Sequence, residues 1–175
     1  TGEVLDVSAN QHAELLPAVR LSLGSLGIVT QVTQELRPRF DLDRVVWCAP
    51  IDWTLDHLDE LQRLNRNMDF YWYPRSNLAQ VRTLNHCGEK PQLHPPGSLW
   101  EQISGPSHRT ITKHRTLKFE EMEYLIPSEA FAECFAEVRR RITDRHRVNV
   151  GWRVLVRTVA PDDIHLSPAH GRQTT

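Results

Sequence analysis

A chain of 175 residues holds one domain, or one domain joined to part of another. With 39% apolar and 25% charged residues it can bury a core, which excludes wholesale disorder, and a net charge of −1 lacks the basic excess of a nucleic-acid binder. The apolar runs are too short to span a bilayer and no leader-type segment opens the chain. The widely spaced Cys48, Cys87 and Cys134 form neither a disulfide framework nor a CxxC pair, so a reducing, cytoplasmic compartment is expected.

In chain order, residues 3–7 read as a short strand. His12–Leu23 reads as a helix, because Leu15, Leu16, Val19 and Leu23 recur at helical spacing. Gly24 and Gly27 break it. Ile28–Leu36 alternates and is rich in β-branched residues, which predicts a strand ended at Arg37-Pro38-Arg39. Asp43–Ile51 is the next predicted strand. A helix follows over 52–67, with Leu55, Leu58 and Leu61 spaced three apart, and then an aromatic strand, Met68–Tyr73, stopped by Pro74. Leu78–Asn85 is a further strand. Residues 87–115 carry Pro91, Pro95, Pro96, Pro106 and three glycines, and read as a long irregular connection. Phe119–Ile126 is a predicted strand. A helix over 128–143 follows, with Ser128 as its cap in a sequence approaching a capping box and Phe131, Phe135, Val138 and Ile142 as its apolar stripe. Trp152–Val159 is the last clear strand, before a turn at Pro161-Asp162-Asp163 and an extended piece to Ala169.

Two strand–helix–strand units, 43–51/52–67/68–73 and 119–126/128–143/152–159, predict an α+β fold: a largely antiparallel sheet with helices on one face. The opening residues read as the tail of a different domain, with a boundary near residue 40.

Several groups could carry chemistry. Gly24-x-x-Gly27 lets backbone approach a ligand closely, or is simply a helix C-cap and a turn. His86, Cys87 and His94 are metal-ligand types, but their spacing fits no zinc pattern and surface histidines in a loop account for them. Arg139, Arg140, Arg141, Arg145 and Arg147 form a basic run that would suit an anionic partner, or a helix C-terminus and its solvated face. Asp162 and Asp163, being neighbours on an extended segment, point apart and suit a turn. Arg157 lies inside Val154–Val159 and by alternation shares an apolar face with Leu155 and Val159. There a guanidinium needs a partner, either a structural carboxylate or a bound substrate and cofactor.

Four motifs, in order over nearly the whole chain, resemble the aldonolactone oxidases, FAD-linked oxidoreductases of the vanillyl-alcohol oxidase type. They are Val4–Ser8 with Glu14–Thr33, Phe70-Tyr71-Trp72-Tyr73-Pro74, Met122-Glu123-Tyr124-Leu125-Ile126-Pro127, and Arg157–Arg172. The branch includes arabinonolactone, gulonolactone and alditol oxidases. The resemblance implies that residues 1–38 complete an FAD-binding domain and that 39–175 form most of a substrate, or cap, domain. It implies FAD as cofactor, lying along the backbone of Gly24, Ser25, Gly27, Ile28, Val29 and Thr30, and Arg157 as the active-site arginine that stabilises the reduced flavin. No metal and no nucleic acid is expected. The expected partners are a sugar lactone or polyol and the N-terminal FAD-binding half of the same protein, including the pyrophosphate loop. A C-terminal histidine–lysine segment is expected beyond Thr175. Association with a membrane is compatible with the family but is indicated by no segment. One departure stands out. Several members carry Glu-x-Arg where this chain has Leu155-Val156-Arg157, so the glutamate is absent. A non-catalytic sugar-binding or interaction module built on the same fold is therefore the alternative.

Overall fold

The computed structural model describes residues 2–89, 93–95, 99–111 and 116–175. Its centre is a five-stranded antiparallel sheet in the order β4-β1-β3-β2-β5. The strands are β1 (Asp41–Pro50), β2 (Asn67–Tyr73), β3 (Leu78–His86), β4 (Leu99–Pro106) and β5 (Val154–Arg157). β2 and β3 form a hairpin closed at Asn77. Its N–H bonds to Tyr73 O at 2.9 Å and its φ of 56° is a left-handed value that asparagine tolerates.

Period-2 alternation gives the sheet two unlike faces. The registers Trp47↔Val81, Phe70↔Val81, Trp72↔Ala79 and Phe70↔Val156 put these apolar side chains on one side. Onto that side pack α2 (Ile51–Asp56), α3 (Leu58–Leu64) and α5 (Phe131–Arg141), through Ile51, Leu58, Leu61 and Phe135. Phe135 meets Phe70, Trp72 and Phe131 at ring-centroid distances of 6.1, 5.6 and 5.4 Å. Each large apolar side chain buried here contributes about 1.5–3 kcal/mol, which makes this layer the main source of stability. The expectation of α+β architecture with the long helices on one face therefore holds. Among the described residues no helix is long and apolar enough to cross a membrane.

Several local expectations differ. The helix over 52–67 is divided at His57, whose ring stacks on Trp53 at 4.3 Å and whose backbone leaves helical geometry. The irregular connection contains β4 and the single turn α4 (Ser107–Thr110); Pro91, Pro96 and residues 112–115 of that stretch lie outside the described residues. The helix over 128–143 opens with a 3-10 turn, Ser128–Ala130, and widens into a π-type turn over Ile142–His146. The capping box does not form. Ser128 Oγ instead bonds to Thr175 Oγ1 at 2.9 Å.

Three predicted strands are bare chain: 3–7, 28–36 and 119–126. At the last, Ile126 and Thr175 exchange backbone hydrogen bonds of 3.1 and 3.0 Å, and Thr174 does the same with Val159 at 3.1 and 2.8 Å. Residues 120–125 make no backbone hydrogen bond to a described residue, so β propensity alone leaves them without a ladder. The second strand–helix–strand unit thus lacks its first strand.

The opening arm is held at one point. The predicted helix over 12–23 shrinks to a 3-10 turn, Ala13–Leu15, and α1 (Leu16–Val19), with Pro17 in its first turn. His165 N–H bonds to Pro17 O at 3.3 Å and Arg20 pairs with Asp163 at 3.3 Å. Beyond this anchor Leu23, Leu26, Ile28, Val29, Val32 and Leu36 are all exposed, Ile28 at 92%.

Candidate active site on the open face of the sheet

The face opposite the long helices is polar. On one rung, Glu101, Val46, Arg82, Asp69 and Arg157 lie side by side from β4 to β5, alternating in charge apart from Val46. Opposite charges placed across strands stabilise a sheet by roughly 0.2–1 kcal/mol per pair. Arg82 donates from Nε and Nη2 to Asp69 Oδ2, leaving Asp69 Oδ1 withdrawn from solvent and unpartnered. Glu101 turns to Arg44, at 3.1 Å.

Arg157 sits on this face and is half exposed. The expectation that it shares a core-type face with Leu155 is overturned. Val156 points into the core, while Leu155 and Arg157 point out, because β5 packs its even-numbered residues against Phe70 and Trp72. The partner that Arg157 needs is Glu123, whose Oε1 accepts from Nη2 at 2.6 Å and from Nε at 3.2 Å. Glu123 belongs to the bare segment 116–126. That segment is tied at one end by Ile126 to Thr175 and touched along its length by Phe119 against Trp152. Its Leu117, Met122 and Tyr124 are exposed.

On the next rung Gln80, Tyr71 and Leu155 are neighbours. Tyr73 donates its hydroxyl proton to Gln80 Oε1 at 2.9 Å and accepts from Arg153 Nη1 at 3.2 Å. The Arg153 guanidinium lies 4.1 Å from the Tyr71 ring centroid and 5.3 Å from that of Trp152. Glu123, Asp69, Arg82, Tyr71, Tyr73 and Arg153 were not singled out by sequence. The signal was present, since period 2 over 68–73 places Asp69, Tyr71 and Tyr73 on one side, away from Phe70 and Trp72.

Gly24, Ser25, Gly27, Ile28, Val29 and Thr30 lie in the arm. No hydrogen bond or ion pair joins them to Arg157 among the described residues. Gly24 and Gly27 have φ of 75° and 132°, values that L side chains rarely adopt, and nothing lies within 4 Å of where a Cβ would stand. Among the described residues, Ser25 N–H to Ser22 O is the one backbone hydrogen bond made by the segment 23–36. The backbone of this segment is thus left open to a close approach at both glycines.

The remaining candidates disperse. Cys87 donates its S–H to Asp43 at 3.2 Å, which pushes the thiol's pKa up, while His86 meets Phe40 edge-on and His94 lies tilted against Trp47. Burial pushes Cys48 up as well. Asp162 accepts from Ser167 at 2.5 Å and from Ile164 N–H at 2.9 Å, which lowers its pKa and closes the turn. Of the basic run, Arg139 pairs with Asp52, and Arg140 and Arg141 with Glu137.

Residues 100–175 match the family described as D-arabinono-1,4-lactone oxidase. Over 99% of its length the chain is 29% identical to an L-gulono-1,4-lactone dehydrogenase of Mycobacterium tuberculosis, covering 48% of that protein. Over the same share it is 24% identical to an L-gulonolactone oxidase of Bos taurus, again covering 48%. A further L-gulonolactone oxidase, of Scyliorhinus torazame, is 30% identical over 46% of the chain and 18% of that protein. The chain is thus similar to the aldonolactone oxidases, with the family match confined to residues 100–175. It spans about half the length of the curated relatives that it matches.

Proposed function

We propose that the chain is the substrate-side part of an FAD-dependent oxidoreductase that oxidises a CH–OH group of a sugar lactone or polyol. The observation that carries this reading is Arg157. It is a half-exposed guanidinium, fixed by Glu123 on the open face of the sheet, within a chain similar to lactone dehydrogenases and oxidases. Residues 1–38 belong in this reading to the FAD-binding unit and 39–175 to the substrate unit. A bound flavin would supply the hydride-accepting chemistry that removes two electrons from the substrate carbon. Arg157 holds positive charge where negative charge develops, and Glu123 fixes its orientation. Apart from Ser25, whose N–H is bonded to Ser22 O, the backbone of Gly24–Thr30 offers N–H groups without a described partner to the cofactor's oxygens.

The test is anaerobic mixing of lactones and polyols with the flavin-loaded protein, including the flavin-binding half that its relatives carry. Bleaching of the flavin absorbance is expected with at least one sugar lactone or alditol. Arg157→Met is expected to slow it by about 10²–10³ with an unchanged melting midpoint. Flavin that no such compound bleaches would overturn the reading. A non-catalytic sugar-binding module is favoured by one observation, Leu155, which offers no proton acceptor beside Arg157. Sugar binding without bleaching is its signature.

A further inference from the structure

Among the described residues four arginines lie on the side of the sheet away from the long helices, and three have a carboxylate: the buried Arg44 with Glu101, Arg82 with Asp69, and Arg157 with Glu123. Arg82 and Arg157 present the same side-on edge, Nε and Nη2, to their partner. Arg153 has no carboxylate partner among the described residues. Its Nη1 is occupied by Tyr73, its Nε is withdrawn from solvent without an acceptor, and Nη2 makes no hydrogen bond to a described residue. An N–H kept from water without an acceptor costs about 1–3 kcal/mol. The position is nonetheless well fixed, because the guanidinium lies over Tyr71 and beside Trp152. Cation–π contact holds the plane of a guanidinium but leaves its charge unneutralised. The edge that is left is the fork that matches a planar anion through two parallel hydrogen bonds.

We propose that Arg153 is a specificity-determining residue that binds a carboxylate on the ligand, so that the preferred substrate is a sugar acid or a lactone retaining a free carboxylate, rather than a neutral sugar. This rests on the reading of the open face as the substrate side. The location is consistent. Arg153 precedes β5 and lies over Tyr71, which is two residues along β2 from Asp69, the register partner of Arg157. Two residues of strand span about 7 Å, the scale of one monosaccharide. The carboxylate would lie along Nε and Nη2, beside the half-exposed Trp152 ring.

The test is calorimetric titration of the full chain with sodium D-gluconate, D-glucitol and D-glucitol 6-phosphate. Gluconate and glucitol share a carbon skeleton and differ in the carboxylate. Gluconate is expected to bind at least tenfold more tightly than glucitol, with an affinity that falls as salt rises. Arg153→Met is expected to abolish that preference with an unchanged melting midpoint, and Arg153→Lys, which keeps the charge but not the fork, to retain part of it. Equal binding of gluconate and glucitol, binding of neither, or an Arg153→Met chain that still prefers gluconate overturns the proposal. Preference for the phosphate ester over gluconate overturns the carboxylate class. Equal binding leaves the oxidoreductase reading standing, whereas gluconate selectivity in a flavoprotein that no sugar bleaches removes that reading alone.

Discussion

Residues 28–36 and 41–50 are both rich in β-branched and aliphatic residues, yet the first run is bare, exposed chain and the second is a strand flanked on both sides. Intrinsic β preference spans only about 1 kcal/mol and favours both. What separates them is burial. Val45, Trp47 and Ala49 enter one apolar cluster with α3 and α5, at about 1.5–3 kcal/mol for a large side chain, while Ile28, Val29 and Val32 stay exposed. A strand is therefore a property of a pair and a covering layer more than of its own sequence.

The contrast can be attacked through its largest expected effect first. Trp72→Ala removes a fully buried indole from the cluster and should cost about 3–5 kcal/mol. Ile28→Ala should stay within about 0.5 kcal/mol. Urea unfolding of both variants decides the matter, and equal losses would mean that the arm is packed. Next is Asp69→Asn. Breaking a buried ion pair costs about 3–5 kcal/mol, and because each partner keeps roughly a fifth of its side chain exposed a loss near 2 kcal/mol is expected. The same measurement reads it.

A smaller effect sits at the exposed end of α5. Hydrogen bonds from Arg140 and then Arg141 hold Glu137 at a pKa of about 2, below its ordinary 4.5. A depressed carboxylate pKa adds stability that is complete above the ordinary value and is lost as pH falls towards the folded one. Helical ellipticity should therefore decline between about pH 4.5 and 2 through fraying of the last turns, and Glu137→Gln should remove that component of the pH dependence. Molar salt, with a Debye length of about 3 Å, should weaken it. The smallest effect belongs to the arm again. Gly27→Val forces a φ of 132° on a β-branched residue, but in a segment that supports nothing, so the thermal midpoint should not move. Flavin content of the flavin-loaded protein should fall, and unchanged content would detach Gly27 from the cofactor.

The same logic explains what could be read in advance. The strands at 43–51, 68–73 and 78–85 and the stripe of Phe131, Phe135 and Ile142 were legible because their apolar periodicity reflects the cluster that they join. β4 was hidden by the prolines and glycines around it. The run 119–126 carried a strand pattern whose described partners end at Thr175. At the candidate site Arg157 could be named, but not its face, because Leu155 and Val159 imitate a core stripe while the true inward residue is Val156. Glu123 could not be paired with Arg157 from spacing at all, since the contact depends on how segment 116–126 lies against β5.

Strand order has a temporal side. β2 and β3 are consecutive and meet through a short turn, so their pairing needs little loop closure. β5 pairs with β2 alone, over four residues, and must reach it past β3, β4 and α5. Contacts so distant in sequence form slowly, and a short edge strand with one neighbour opens at the lowest free energy. The strand that carries Arg157 should thus be the last added during folding and the first of the five to exchange its amide hydrogens in the native state, so Arg157 rides on the most readily released rung of an otherwise firmly held sheet.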